Sequence, residues 1–295
     1  MKILYIGCVE ASEILLSSLL EHGFDICGVV TKKESKANSD FADLSVICES
    51  HAIPFVFYQP SRYEAFVDFV RLCKPDIVYC FGWSHLLKED VLDIPSLGTV
   101  GFHPAELPKN RGRHPLIWAL VLGLKQTAST FFMIQPGVDN GNIVSQVHID
   151  ISADETARSL YDKVLSTAKV QLIELTKQFR NGTVNYVMQD ESLANTWRKR
   201  GEKDGLIDFR MKAETISRLV KALGRPYVGA HFMHNGSAYK VWEAEAVAEA
   251  DAYANLEYGK VLEVYGSHSF LVKADDGLLK VLYCDMITLR IGDYL

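Results

Sequence analysis

Residues 2–31 read KILYIGCVEASEILLSSLLEHGFDICGVVT, and this stretch decides the fold class. Lys2 to Val9 is a short, almost wholly apolar run ending near Gly7, the pattern of a strand buried on both faces. Ile14, Leu15, Leu19 and Leu20 then recur at helical spacing, and Gly23 is a helix stop. Residues 25–31, DICGVVT, are apolar again and read as a second strand. Strand, helix and strand in so short a stretch form a βαβ unit with parallel strands.

The rhythm continues outward. SDFADLSVICESHAI (39–53) and YEAFVDFVRLCKP (63–75) read as helices, DIVYCFG (76–82) and GTVGFH (98–103) as strands. ASTFFMI (128–134) and IVSQVHIDI (143–151) read as a further strand pair, joined by the turn-rich QPGVDNGN (135–142). A long helix is expected from Thr156 to Phe179, capped by Asp154 and closed by Asn181-Gly182. After the helix AETISRLVKALG (213–224) the pattern changes to short β-rich runs, at 239–247, 259–265, 269–274 and 278–286, which suit a small barrel or sandwich. The expected class is α/β: a Rossmann-like, mostly parallel sheet domain over 1–185, a linker over 186–208, and a small β-rich domain over 209–295.

Composition narrows the partners. The chain has 295 residues, 48% hydrophobic and 23% charged, normal for a soluble globular protein. The net charge of −6 and the absence of a lysine-rich run argue against nucleic acid. None of the six cysteines forms a C-x-x-C pair or stands at metal-ligand spacing with histidine, so reduced thiols in a cytoplasmic protein and no metal are expected. MKILYIGCVEASE is too short and too acidic for a signal peptide, and no apolar run reaches the roughly 18 residues that span a bilayer.

Open parallel sheets bind ligands beyond the carboxyl ends of their strands. Cys8 to Glu10, Gly82 to Leu87 and the chain from His103 onward all fall there. No G-x-G-x-x-G follows the first strand, and neither a P-loop nor a G-x-S-x-G elbow occurs. Taken singly, His103, Asp139 and the Arg111-Gly112-Arg113 loop each have a plain structural reading: a satisfied histidine, a turn aspartate, a surface loop.

Taken together they are more specific. HPAELPKNRGRHPLIWAL (103–120), followed by DNGNIV (139–144), resembles the signature of the 10-formyltetrahydrofolate-dependent formyltransferases. The matching positions are His103, Pro104, Leu107, Pro108, Arg111 and Gly112, then Asp139, Gly141 and Ile143. KDGLIDF (203–209) and GRPYVGAHF (224–232) look like segments of the second domain of the two-domain members. The resemblance implies a Rossmann-like domain followed by an open, OB-like barrel, and transfer of a formyl group from 10-formyltetrahydrofolate to an amine without a metal. It implies His103 and Asp139 as the proton-handling pair. It also implies a folate site lined by Phe81, Gly82, Trp83, His85, Leu86 and Leu87, flanked by Val138 and Asp139.

The sequence departs from the family at one place. The family reads Asn-x-His, with the asparagine amide at the oxyanion; here Gly101 holds that position, and Asn110, Asn140, Asn142 and His114 are the nearby polar alternatives. The string NRGRHPLIWALVLGL (110–124) looks nearest to the nucleotide-sugar N-formyltransferases. That branch implies a UDP- or dTDP-linked 4-amino-deoxy sugar for surface glycans, with Glu10, Arg111, Gly112, Arg113 and Tyr227 at the substrate and a homodimer as the assembly. The competing readings are a methionyl-tRNA formyltransferase and a folate or nucleotide-sugar binding protein without turnover.

Overall fold

The computed structural model describes residues 1–34, 39–248 and 253–295. In chain order these form β1 (Lys2–Ile6), α1 (Glu10–Glu21), β2 (Asp25–Thr31), α2 (Ser45–Ser50), β3 (Phe55–Phe57), α3 (Tyr63–Cys73), β4 (Ile77–Cys80), α4 (Glu89–Leu92), β5 (Thr99–His103), β6 (Arg111–Gly112), α5 (Pro115–Val121), β7 (Gln126–Met133), β8 (Ile143–Asp150), α6 (Ala157–Asn181) and β9 (Thr196–Trp197). Then come α7 (Ala213–Leu223), β10 (Ala230–His234), β11 (Ser237–Val247), β12 (Val261–Gly266), β13 (Ser269–Lys273) and β14 (Leu278–Cys284). The chain divides into two compact units: Met1–Pro115 with Gln126–Asp150 and Asp162–Trp197, and Leu116–Lys125 with Ile151–Tyr161 and Arg198–Leu295.

The first unit is built on a seven-stranded sheet in the order β3-β2-β1-β4-β5-β7-β8. β3 to β5 are parallel, and β7 and β8 complete the sheet antiparallel. Successive side chains of a strand point to opposite faces, so a doubly covered strand must be apolar at every position. Ile3, Tyr5, Ile77 and Tyr79 pack with Leu15, Leu16 and Leu19 of α1 and with Leu172 and Phe179 of α6. Leu4, Ile6, Val78 and Cys80 pack on the other face with Phe66, Val67 and Val70 of α3. The Tyr79 hydroxyl reaches Thr176 Oγ1 at 2.9 Å, which satisfies the one polar atom that its burial would otherwise strand.

The second unit carries a five-stranded antiparallel sheet, β10-β11-β14-β13-β12, whose outer strands are bridged by flanking chain, β10 by Leu206 at His231 and β12 by Asp293 at Val261. Phe232 anchors its core, edge-on to Phe209 and Phe270. The Ala213 amide at the start of α7 donates to Asp276 Oδ1 at 3.0 Å, a cap supplied by the turn between β13 and β14.

Four expectations are corrected in detail. The helix expected over 39–53 shrinks to Ser45–Ser50. Two strands unread in the sequence, β3 and β10, join the sheets by pairing with longer neighbours. The cap of α6 is Thr156 rather than Asp154: Ser159 N donates to Thr156 Oγ1 at 3.2 Å and Thr156 N to Ser159 Oγ at 3.0 Å, a reciprocal pair. The expected linker over 186–208 is in part structural, since Val187 bridges Ile143 and β9 pairs with β6. The close of α6 is as expected: Gly182 takes φ +67° and Thr183 N returns to Gln178 O at 3.0 Å.

Candidate active site

β5 presents His103 at its carboxyl end, in register with Thr130 of β7. Gly101 precedes it by two residues, on the same face of the sheet, opposite Phe132. The loop after His103 is stapled to the sheet: Thr130 Oγ1 donates to Ala105 O at 2.7 Å and Gln146 Nε2 to Leu107 O at 3.0 Å. The chain thus returns to place Asn110 O 2.8 Å from His103 Nε2. A carbonyl can only accept, so Nε2 carries the proton and, in the neutral ring, Nδ1 holds the lone pair.

Nδ1 lies 3.6 Å from Asp139 Oδ2, and both side chains are largely buried, at 7% and 21% exposure. Asp139 sits at φ +50° in the turn between β7 and β8. Aspartate tolerates this left-handed region better than most residues. Its carboxylate is held by Gly112 N, which donates to Oδ2 at 2.8 Å. Gly112 itself must be glycine, because its φ is +101° and a Cβ would stand 2.3 Å from Trp197 O. Gly141 closes the same turn against β7, where a Cβ would meet Met133 O at 1.7 Å.

The expected pair of anion-binding arginines separates. Arg111 is buried; its Nε and Nη2 donate to Gln189 Oε1 at 3.1 and 2.8 Å, and its two Nη groups to Glu191 at 2.9 and 2.7 Å. These hydrogen bonds hold the Glu191 carboxyl below its usual range. The guanidinium is thus spent inside the chain, a correction to the expected clamp, and Arg113 is the exposed cation of the two. Glu10 opens α1 just past β1, half-buried, its amide donating to Asp40 O at 2.8 Å. Tyr227 belongs to the second unit, in the turn after α7, its amide donating to Gly224 O at 3.0 Å.

The segment expected at the folate divides by burial. Phe81 is a core residue, stacked on Tyr79 and edge-on to Phe131, so its ring lines no site. Gly82 follows at φ +65°. Trp83 and Leu87 are half-buried against the α3 face of the sheet, together with Ile134. Leu86, at 81%, and Val138, at 49%, are exposed apolar side chains. Two buried polar atoms near these positions have no partner: the Trp83 indole N–H and Asn140 Oδ1. One orphan donor and one orphan acceptor beside apolar walls suit a flat heterocycle with both kinds of edge group. Tyr58 and Lys32 join this group unannounced by the sequence. Lys32 Nζ lies 5.0 Å above the Trp83 ring, and Tyr58 stands 5.2 Å from Trp83 and 5.0 Å from His85. Burial, and then Lys32, lower the pKa of His85.

The space beside Gly101 is apolar. A Cβ there would meet Phe132 Cζ at 2.8 Å and Ile134 Cγ1 at 3.0 Å, so apolar groups fill the space. Asn140 turns its amide to Pro136 O at 3.1 Å, and Asn110 contributes its carbonyl to His103. Cys8, two residues past β1, is buried, which raises its thiol pKa. Among the described residues no group of three or more His, Cys, Asp and Glu side chains could hold a metal ion, and no helix is long and apolar enough to cross a membrane.

The chain is similar to known proteins over most of its length. A bifunctional polymyxin resistance protein ArnA from Wigglesworthia glossinidia brevipalpis is 31% identical over 252 residues, covering 85% of this chain but only 38% of the relative. A methionyl-tRNA formyltransferase from Agathobacter rectalis is 27% identical over 286 residues, covering 96% of this chain and 91% of the relative. The crystal structure of an N-formyltransferase from Helicobacter canadensis superposes with a TM-score of 0.71 at 18% identity, covering 95% of this chain and 98% of that one. The formyl transferase family matches residues 1–176, and its C-terminal domain matches residues 200–286. The chain therefore belongs to the formyl transferase family.

Proposed function

We propose that this protein transfers the formyl group of 10-formyltetrahydrofolate to the amino group of a nucleotide-linked amino-deoxy sugar, with a UDP- or dTDP-linked 4-amino sugar for surface glycans as the acceptor. The observation that carries the reading is the His103–Asp139 pair, with one imidazole nitrogen satisfied by Asn110 and the other facing a held carboxylate. An attacking amine must lose a proton, and the leaving folate nitrogen must gain one. His103 Nδ1 can accept the first and return the second, while Asp139 stabilises the ring when it is charged. Trp83, Leu86, Leu87 and Val138 would hold the folate, which supplies the activated formyl group. Arg113 is the cation available to the acceptor's phosphates.

Two further observations support a sugar acceptor. The Helicobacter canadensis structure of like fold holds folinic acid and dTDP-3-aminofucose. The chain's net charge of −6 is poorly suited to tRNA. The expected setting is the cytoplasm, and the expected assembly is a homodimer, which light scattering would test.

A panel of UDP- and dTDP-linked 3-amino and 4-amino sugars, with methionyl-tRNA alongside, decides the acceptor when supplied with 10-formyltetrahydrofolate. Formylation of a 4-amino sugar supports the reading. Formylation of methionyl-tRNA alone overturns it, and binding without turnover of any acceptor would favour a binding protein.

A further inference from the structure

The chain after α6 is exposed almost throughout, yet Gln189 within it is buried, at 6% exposure beside Met188 at 82%. Its amide is fully used. Nε2 donates to Asp139 O at 2.8 Å and to Gly141 O at 2.7 Å, while Oε1 accepts from Arg111 Nε and Nη2. A glutamine amide offers two N–H donors and one oxygen, so four contacts leave nothing over. Its orientation has one solution: Arg111 can only donate, so the amide oxygen faces Arg111 and the nitrogen faces the two carbonyls. Arg111 is fixed in turn by the Glu191 carboxylate. The two carbonyls bracket Asn140 and hold the turn that carries Asp139, while Gly112 N holds its carboxylate. The same segment ties down the other half of the site: Asn195 Oδ1 accepts from Asn110 N at 2.9 Å, and the Asn110 carbonyl is the partner of His103 Nε2.

We propose that Gln189, oriented by Arg111 and Glu191, is a positioning residue that sets the Asp139 carboxylate against His103. The inference rests on the reading of His103 and Asp139 as the reacting pair. Gln189 touches no reacting atom; it fixes the backbone on which Asp139 stands, in a site where a shift of about 1 Å can cost 100-fold in rate.

The test is a double-mutant cycle read by NMR titration of the His103 imidazole in the full chain, which needs no acceptor. Gln189→Met, Asp139→Asn and the double variant are compared with the starting protein. Gln189→Met is expected to move the His103 midpoint in the same direction as Asp139→Asn, and to add nothing once Asp139→Asn is present. With an accepted sugar, kcat should fall about tenfold with KM within about twofold, and this loss should also vanish in the Asp139→Asn background. Glu191→Gln is the second variant: its side chain is 68% exposed, so it leaves the core untouched, and a smaller shift of the same sign is expected. A His103 midpoint that Gln189→Met and Glu191→Gln leave in place, while Asp139→Asn moves it, overturns the positioning role alone. A midpoint indifferent even to Asp139→Asn overturns the pair itself.

Discussion

Gly101 and Phe132 face each other across β5 and β7, and the phenyl ring occupies the space into which a side chain at 101 would grow: a Cβ there would lie 2.8 Å from Phe132 Cζ. The position at which the family carries an amide donor is therefore apolar as well as empty of a side chain.

It follows that Gly101→Asn alone brings no gain in rate. Overpacking of this kind costs about 1–3 kcal/mol, because Phe132 is buried and must shift. Combining Gly101→Asn with Phe132→Ala should recover part of that loss. Urea midpoints of both single variants and the double variant would reveal the coupling, and additive losses would refute it.

His103→Ala should lower the rate of formyl transfer by about 100-fold or more, the range general acid–base catalysis supplies, with folate affinity retained. Asp139→Asn should cost about 10- to 100-fold while keeping the fold, since asparagine also accepts the left-handed backbone at that position. Stopped-assay rates beside folate binding by fluorescence quenching check both. Full activity in either variant would remove the residue from the chemistry.

The two loop arginines should answer differently to substitution. Arg111→Met strands the buried Gln189 Oε1, and should destabilise by about 1–3 kcal/mol, the range for a buried acceptor left without its donor. Arg113→Ala should leave stability unchanged and raise KM for the nucleotide sugar by about tenfold, as expected for one lost charged contact. Melting curves and saturation kinetics separate the outcomes. An equal effect of the two substitutions on KM would put both guanidiniums at the substrate.

His231, buried in the second unit, has its pKa lowered by burial and then by Lys240. The unfolded chain therefore takes up a proton as pH falls below about 6.5, while the folded chain resists it. Stability is complete above that pH and declines below it, by at most about 1.4 kcal/mol per pH unit for one group. His231→Gln should flatten the decline between about pH 6.5 and 5. Chemical denaturation across that range would show whether it does.

Much of this was legible in the chain. The doubly apolar runs of β1, β2 and β4 can only be covered strands, and the α1 pattern between the first two implies the crossover. His103 and Asp139 stood out through their motifs. What escaped was whatever depends on a partner far along the chain. β3 is three residues long and gains its strand character only by pairing with β2. Tyr58, just past β3, was therefore unreadable as a neighbour of Trp83. Gln189 is one amide in a polar stretch, marked only by the apolar Val187 and Met188 before it.

By itself, then, the sequence determined the α/β class and the family, and put His103 and Asp139 forward as the candidate pair, because periodicity and motif spacing are local properties of the chain. The tertiary structure alone decided what each polar group faces. It spent Arg111 on Glu191 rather than on a substrate, filled the void at Gly101 with Phe132, and brought Gln189 under the Asp139 turn. Hydrogen bonds and close packing are satisfied between residues far apart in sequence, and only the folded chain brings those residues together.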